Sequence, residues 1–266
     1  MINPLLLKEI ESDLAGFRGK QINFLKLPVT VLRYFEPSQI GTIIGTLCDA
    51  CLPHFDLLFP DLPAFAEHKL QKHQGILGER EGYPDYKHTN GIRLELKMVY
   101  IDPDEDEIIM KTPPTPREPS ARLTQKVTVK NVIPDTDLLF VIGYTMKKIP
   151  CDEDFASPTI IDFGLFPVIE CVKARDKKLQ DGGGKWFGDY ETPAIMSNIG
   201  KEKKRNNLPL NYTTYGRKES EGHDFNEDTN FGKLKRIPYK PLQEFLKKIG
   251  ANYMETGNYP EKWVIQ

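Results

Sequence analysis

Apolar residues recur along this chain with two periods, and each period marks a different kind of element. Near the start, Asn3-Pro4 precedes Leu5, Leu6, Leu7, Ile10 and Leu14, and Gly16 follows. A capping amide, a proline at the first helical position and a terminal glycine predict a helix over residues 3–15. From 36 to 52, Pro37 opens a run in which Ile40, Ile43, Ile44, Leu47, Cys48 and Cys51 return at helical spacing, and Pro53 closes it. Gly41 and Gly45 are costly inside a helix, so a neighbouring element is expected to pack close there. A third helix is predicted over 63–74, stopped by Gly75.

The period then changes to two. Ile92, Leu94, Leu96 and Met98 alternate with Arg93, Glu95 and Lys97, so the two sets leave opposite faces of a strand. Asn90-Gly91 just before it is the strongest short hairpin signal, because both residues accept positive φ. Residues 102–119 are acidic and then proline-rich, and read as a loop. Residues 120–131 fit either a helix or a strand. Residues 137–144 are a continuous apolar run expected in the middle of a sheet. A short strand over 159–163, a helix over 167–179, a short helix over 193–199 and a last helix over 241–249 complete the pattern.

These elements predict an α/β (α+β) fold with a mixed central sheet flanked by helices. A core over 1–180 would be joined to a loop-rich elaboration over 181–266, the two forming one continuous structural domain. Charge sharpens that division. The whole chain of 266 residues carries a net charge of −2, which argues against binding a polyanion by bulk charge alone. Residues 1–170 carry −7 and residues 171–266 carry +5, an acidic part followed by a basic one. No apolar run approaches the ~18–20 residues that a membrane span needs. The first residues lack the basic start of a secretory leader. Four cysteines are too few for a disulfide scaffold, so a reducing cytoplasm is expected.

The chemistry concentrates on the hairpin. Glu95 and Lys97, two apart on a strand, share a face at roughly 6.5–7 Å along it. Asp85, on the preceding arm, can fold back beside Glu95. Two hard carboxylates meeting in this way suit Mg²⁺, with substrate phosphate and water filling its remaining positions. A nearby ammonium can orient the attacking water and offset developing charge.

Pro84-Asp85, nine residues, then Glu95-Leu96-Lys97 resembles the signature of the PD-(D/E)xK nucleases, and most closely the type II restriction endonucleases. The resemblance implies that Asp85 and Glu95 bind Mg²⁺, that the Leu96 carbonyl also coordinates, and that Lys97 assists the attacking water. It implies a further group from the preceding helix, where Glu36 is the first choice over Gln39 and Asp49. The core order would be αβββαβ, with the second helix near 120–131 and the strand at 137–144 after it. The activity implied is Mg²⁺-dependent, sequence-specific cleavage of double-stranded DNA. It would come from a homodimer in a prokaryotic cytoplasm, with a companion DNA methyltransferase in the same system. The alternatives are a repair or structure-specific nuclease of the same superfamily, or a non-catalytic DNA-binding domain.

Basic residues interleaved with Asn and Tyr are the residue types that contact phosphates and base edges. Lys201, Lys203, Lys204, Arg205, Asn206, Arg217 and Lys218 are therefore candidate DNA contacts, with Arg122, Gln125 and Lys126 in a second rank. Cys48, Cys51 and His54 lack a second ligand pair for zinc, and both cysteines fall on the apolar stripe of their helix. Gly182-Gly183-Gly184-Lys185 lacks the spacing and the hydroxyl of a phosphate loop and reads as a flexible loop. His88 reads as an exposed turn residue.

Overall fold

The computed structural model describes residues 2–22, 24–51, 69–73, 83–101, 108, 110–111, 120–124, 127–183, 196, 198–210 and 234–250. In chain order the elements are α1 (Pro4–Leu14), a 3₁₀ turn (Ala15–Phe17), β1 (Leu27–Pro28), α2 (Val29–Leu32), α3 (Pro37–Cys51), β2 (Leu70–Lys72), β3 (Tyr86–His88) and β4 (Arg93–Tyr100). They continue with β5 (Arg122–Thr124), β6 (Asp137–Ile149), β7 (Asp152–Pro167), α4 (Val168–Asp181), α5 (Asn198–Arg205), β8 (Leu234–Arg236) and α6 (Lys240–Ile249). The fold is mixed α/β, with a mixed sheet flanked by helices. Among the described residues no helix is long and apolar enough to cross a membrane.

Six strands form the main sheet in the order β1-β7-β6-β4-β3-β2. Strands β2, β3 and β4 run as an antiparallel meander, and β6 then lies parallel to β4 from Arg93–Asp137 to Tyr100–Tyr144. A parallel neighbour requires a crossover, which the chain makes between Tyr100 and Asp137. The first ten residues of β6 are all buried, as expected for a strand covered on both faces. Strand β7 returns antiparallel to β6 along almost its whole length.

The Asn90-Gly91 turn forms as predicted. Gly91 takes φ +94, its N–H donates to the His88 carbonyl (2.9 Å), and Asn90 Oδ1 accepts from the Ile92 N–H (3.1 Å). Helix α1 is capped by Asn3, whose Oδ1 accepts from the Leu5 N–H at 3.0 Å. The even-numbered face of β4 and β6 (Leu94, Leu96, Leu138, Phe140, Ile142) packs with Ile10 and Leu14 of α1 and Ile40 and Ile44 of α3 into one apolar cluster. The close approach expected at Gly41 is present: a Cβ there would stand 2.9 Å from the Tyr144 hydroxyl. At Gly45 nothing lies within 4 Å. Helix α6 packs on β7; a Cβ on Gly143 of the neighbouring β6 would collide with Ile249 of that helix, and one on Gly164 of β7 with Phe166.

Several elements differ from expectation. The end of the helix predicted over 63–74 is strand β2, because the edge of β3 offers ladder partners that local pattern does not reveal; residues 63–68 and 74 lie outside the described residues. Residues 120–131, open in the sequence between helix and strand, contain strand β5 at 122–124 and a turn around Thr128–Asn131 where the resemblance implies a helix, and β5 pairs with β8 more than a hundred residues away. The strand predicted over 159–163 runs from 152 to 167. Its charged start and Pro158 hide the pattern, and a 13-residue partner carries the pairing through both. The short helix expected over 193–199 is seen at 198–205, continuing through Gly200; residues 193–195 and 197 lie outside the described residues.

The chain forms two compact units. One comprises Met1–Ala121, Pro134–Pro167 and Lys240–Gln266; the other comprises Arg122–Ile133 and Val168–Tyr239. The second unit has the β5–β8 ribbon and helices α4 and α5. Within it Arg175 is fully buried, donating from Nη1 to the Thr124 carbonyl (2.5 Å) and from Nε to Asp176 (2.8 Å). Gly182 and Gly183 end α4, their N–H groups donating to the Lys178 and Gln180 carbonyls, with Gly183 at φ +92. Gly184 and Lys185 lie outside the described residues.

Candidate active site

Alternation along β4 places Arg93, Glu95 and Lys97 on the face opposite the apolar cluster. The β3–β4 register pairs Lys87 with Arg93 and Tyr86 with Leu94. One step further along the hairpin, Asp85 falls across from Glu95. The β2–β3 register likewise brings His73 beside Asp85, and the His73 N–H donates to the Asp85 carbonyl at 2.9 Å. The sheet thus sets His73, Asp85 and Glu95 in one lateral row.

Asp85 has a second role. The Leu96 N–H, which would otherwise seek a carbonyl on β3, donates to Asp85 Oδ2 at 2.7 Å. This bond fixes the Asp85 carboxylate against the backbone of the residue between Glu95 and Lys97.

Glu95 is buried at 4% exposure, unlike the solvated strand face that its polar neighbours would produce. Lys97 Nζ donates to its Oε1 at 2.6 Å, while Oε2 is buried without a hydrogen-bond partner. Burial pushes the Glu95 carboxyl up to about 7. The Lys97 ammonium pulls it down, the Asp85 charge pushes it up, and Lys72 adds a smaller pull down. Lys72 also sits 4.9 Å from the Tyr86 ring centroid. A buried carboxylate oxygen without a donor, near a second carboxylate, is a site that a cation would complete.

Next to these groups is a buried polar cluster. Arg93 grips Asp137 with two hydrogen bonds, Nε to Oδ1 at 2.5 Å and Nη2 to Oδ2. The Tyr83 hydroxyl donates to Asp137 Oδ2 at 2.6 Å, and the Thr136 hydroxyl to Oδ1 at 3.0 Å. Burial and then the Asp137 charge hold the Tyr83 phenol far above its ordinary range. Burial works against the Arg93 charge, but bonding to Asp137 outweighs it and raises the guanidinium further.

Of the predicted site residues, Asp85, Glu95, Leu96 and Lys97 come together. Glu36 does not join them. It stands at the start of α3, where its N–H donates to Gln39 Oε1 (2.8 Å) and its carboxylate pairs with Lys111 at 3.5 Å. Leu96 points its side chain into the core. Among the described residues, no group of three or more His, Cys, Asp or Glu side chains gathers to hold a metal ion. Asp85 and Glu95 are the two carboxylates that could share one.

Lys201, Lys203, Lys204 and Arg205 lie on α5 in the second unit, with Asn206 just beyond it. All are exposed except the half-buried Lys203. Arg122 is on β5, in register with Arg236. Gln125, Lys126, Arg217, Lys218 and His54 lie outside the described residues, as do the side chains of Cys48 and Cys51. His88 is buried, contrary to expectation. Its Nδ1 accepts from the Asn90 N–H, so Nε2 carries the proton toward Asp13 (3.2 Å), which Lys69 also grips.

The sequence does not single out His73, Lys72, Tyr83, Arg93 or Asp137 as site residues. His73 Nδ1 is buried without a partner. The signals for Arg93 and Asp137 were a charge on the same strand face as Glu95 and an acid opening an apolar strand. Compared with protein-family models, with curated proteins and with solved structures, the chain matches none of them.

Proposed function

We propose that this chain is a Mg²⁺-dependent nuclease that hydrolyses double-stranded DNA at specific sequences, in the manner of a type II restriction endonuclease. The observation that carries the reading is the buried, unpartnered Oε2 of Glu95, beside Asp85 and against Lys97. The strand arrangement adds support. A meander carrying Asp85 and Glu95, followed by a strand parallel to β4, is the order of strands that an αβββαβ core has. Among the described residues of the Tyr100–Asp137 crossover, the helix of that core has no counterpart.

Asp85, Glu95 and the Leu96 carbonyl would hold the ion. When bound, Mg²⁺ supplies Lewis acidity toward the scissile phosphate and acidifies water. The protein's own groups do the rest. Lys97, about a quarter exposed, reaches from the buried Glu95 toward solvent, where its ammonium orients a water for in-line attack and offsets charge developing on the phosphate. The Leu96 N–H keeps Asp85 in place. The cations of α5 would contact phosphates, a sequence-independent grip. Site reading by a homodimer across a palindrome, with a methyltransferase protecting host DNA, belongs to the same proposal.

Digesting plasmid of known sequence in Mg²⁺ and sequencing the fragment ends tests this. Ends recurring at one symmetric sequence support restriction; ends scattered over the plasmid contradict site specificity.

A further inference from the structure

We propose that Asp137 is a positioning residue that sets the spacing of the two site carboxylates, by holding the residue two positions before each of them. Arg93 precedes Glu95 by two on β4, so the two share a strand face, and Tyr83 precedes Asp85 by two on the bend that leads into β3. Asp137 binds both: Tyr83 Oη at 2.6 Å, and Arg93 through Nε at 2.5 Å and through Nη2. One carboxylate at the mouth of β6 therefore ties together the two hairpin arms that carry the site. This rests on the reading of Asp85 and Glu95 as the metal-holding pair.

Burial makes stability alone a poor reason for the cluster. Tyr83, Arg93 and Asp137 are exposed by 0%, 9% and 1%. Desolvating an ion pair so completely costs about as much as the pairing returns, and apolar residues of similar volume would stabilise a sheet at least as well. What four directed bonds on one carboxylate provide is geometry. Asp85 needs it, because its backbone stands outside the regular ladder with β4: β3 begins only at Tyr86, and Leu96 bonds the Asp85 side chain in place of a backbone carbonyl. With the Tyr83 tether lost, the segment bearing Asp85 can move relative to β4 while the β4–β6 ladder persists. Outer groups that orient ligating side chains commonly change metal affinity ~10–100-fold when removed.

Tyr83→Phe tests this on the full chain, because it deletes one hydroxyl and leaves the Arg93–Asp137 pair intact. In metal-free protein, amide exchange at Leu96 is expected to quicken about tenfold or more, while Leu94 and the β6 amides stay as protected as in wild type. The Mg²⁺ concentration that half-saturates the Mg²⁺-induced rise in Tm is expected to increase at least about fivefold. A uniform loss of protection along β4 and β6 with an unchanged Mg²⁺ half-saturation is what a merely structural role gives, and it overturns the proposal. Unchanged Leu96 exchange overturns it too. Faster Leu96 exchange in a protein whose wild type shows no Mg²⁺ response upholds the clamp and refutes the metal site instead.

Discussion

Asp85 Oδ2 accepts the Leu96 N–H at 2.7 Å, so one carboxylate both faces Glu95 and substitutes for a ladder carbonyl. The two roles separate by mutation. Asp85→Asn keeps an acceptor oxygen and is expected to unfold within about 1 kcal/mol of wild type. Asp85→Ala leaves a partly buried N–H without its acceptor and is expected to lose about 1–3 kcal/mol. Both should lose cleavage, since neither carries the charge. Urea unfolding beside a plasmid assay checks the pair; equal stability of the two variants contradicts the structural half.

Glu95 makes metal-free stability depend on pH. Its carboxyl is raised from 4.5 to about 7 in the folded protein, chiefly by burial. A raised acid contributes stability that is fully present below about pH 4.5 and is lost as pH rises through about 7. That contribution is of order 3 kcal/mol. In EDTA, unfolding free energy is therefore expected to fall between pH 5 and pH 8, and Glu95→Gln is expected to flatten much of the fall. Added Mg²⁺ should restore stability mainly at the higher pH, where the carboxylate is ionised.

The two glycines of α3 should respond oppositely to alanine. A Cβ at Gly45 meets nothing within 4 Å, so Gly45→Ala is expected to stabilise by about 0.5–1 kcal/mol through helix propensity. At Gly41 it would lie 2.9 Å from the buried Tyr144 hydroxyl, and the overlap should outweigh that gain, for a net loss of about 1 kcal/mol. Thermal unfolding of the two variants decides.

Helix α5 gives a prediction about salt. Replacing Lys203, Lys204 and Arg205 with Ala is expected to weaken DNA binding similarly for all sequences and to lower the log–log salt slope by roughly 2–3. Cleavage at saturating DNA should change little. An unchanged slope places the DNA-gripping surface elsewhere.

What could be foreseen tracks how locally each feature is encoded. The Asn90-Gly91 hairpin, the β4 alternation and the capped α1 each rest on residues within a few positions of one another, and they formed as expected. Asp85, Glu95 and Lys97 were visible because a two-residue period and one turn suffice to gather them. The Arg93–Asp137 pair spans 44 positions and His88–Asp13 spans 75, so local pattern shows Arg93 only as one of the polar residues alternating along β4 and His88 as an exposed turn residue. Strand β2 has a helical pattern in the sequence for the same reason: Leu70–Lys72 becomes a strand because β3 lies beside it, and pattern alone does not place β3 there.

The central claim is tested most directly by supercoiled plasmid incubated with wild type and Lys97→Ala, each in Mg²⁺ and in EDTA, with far-UV circular dichroism showing both folded. Wild type is expected to convert the plasmid to nicked or linear forms in Mg²⁺ alone, and Lys97→Ala to do so slower by at least about a hundredfold. Cutting by Lys97→Ala at the wild-type rate, or by wild type in EDTA, would contradict the account.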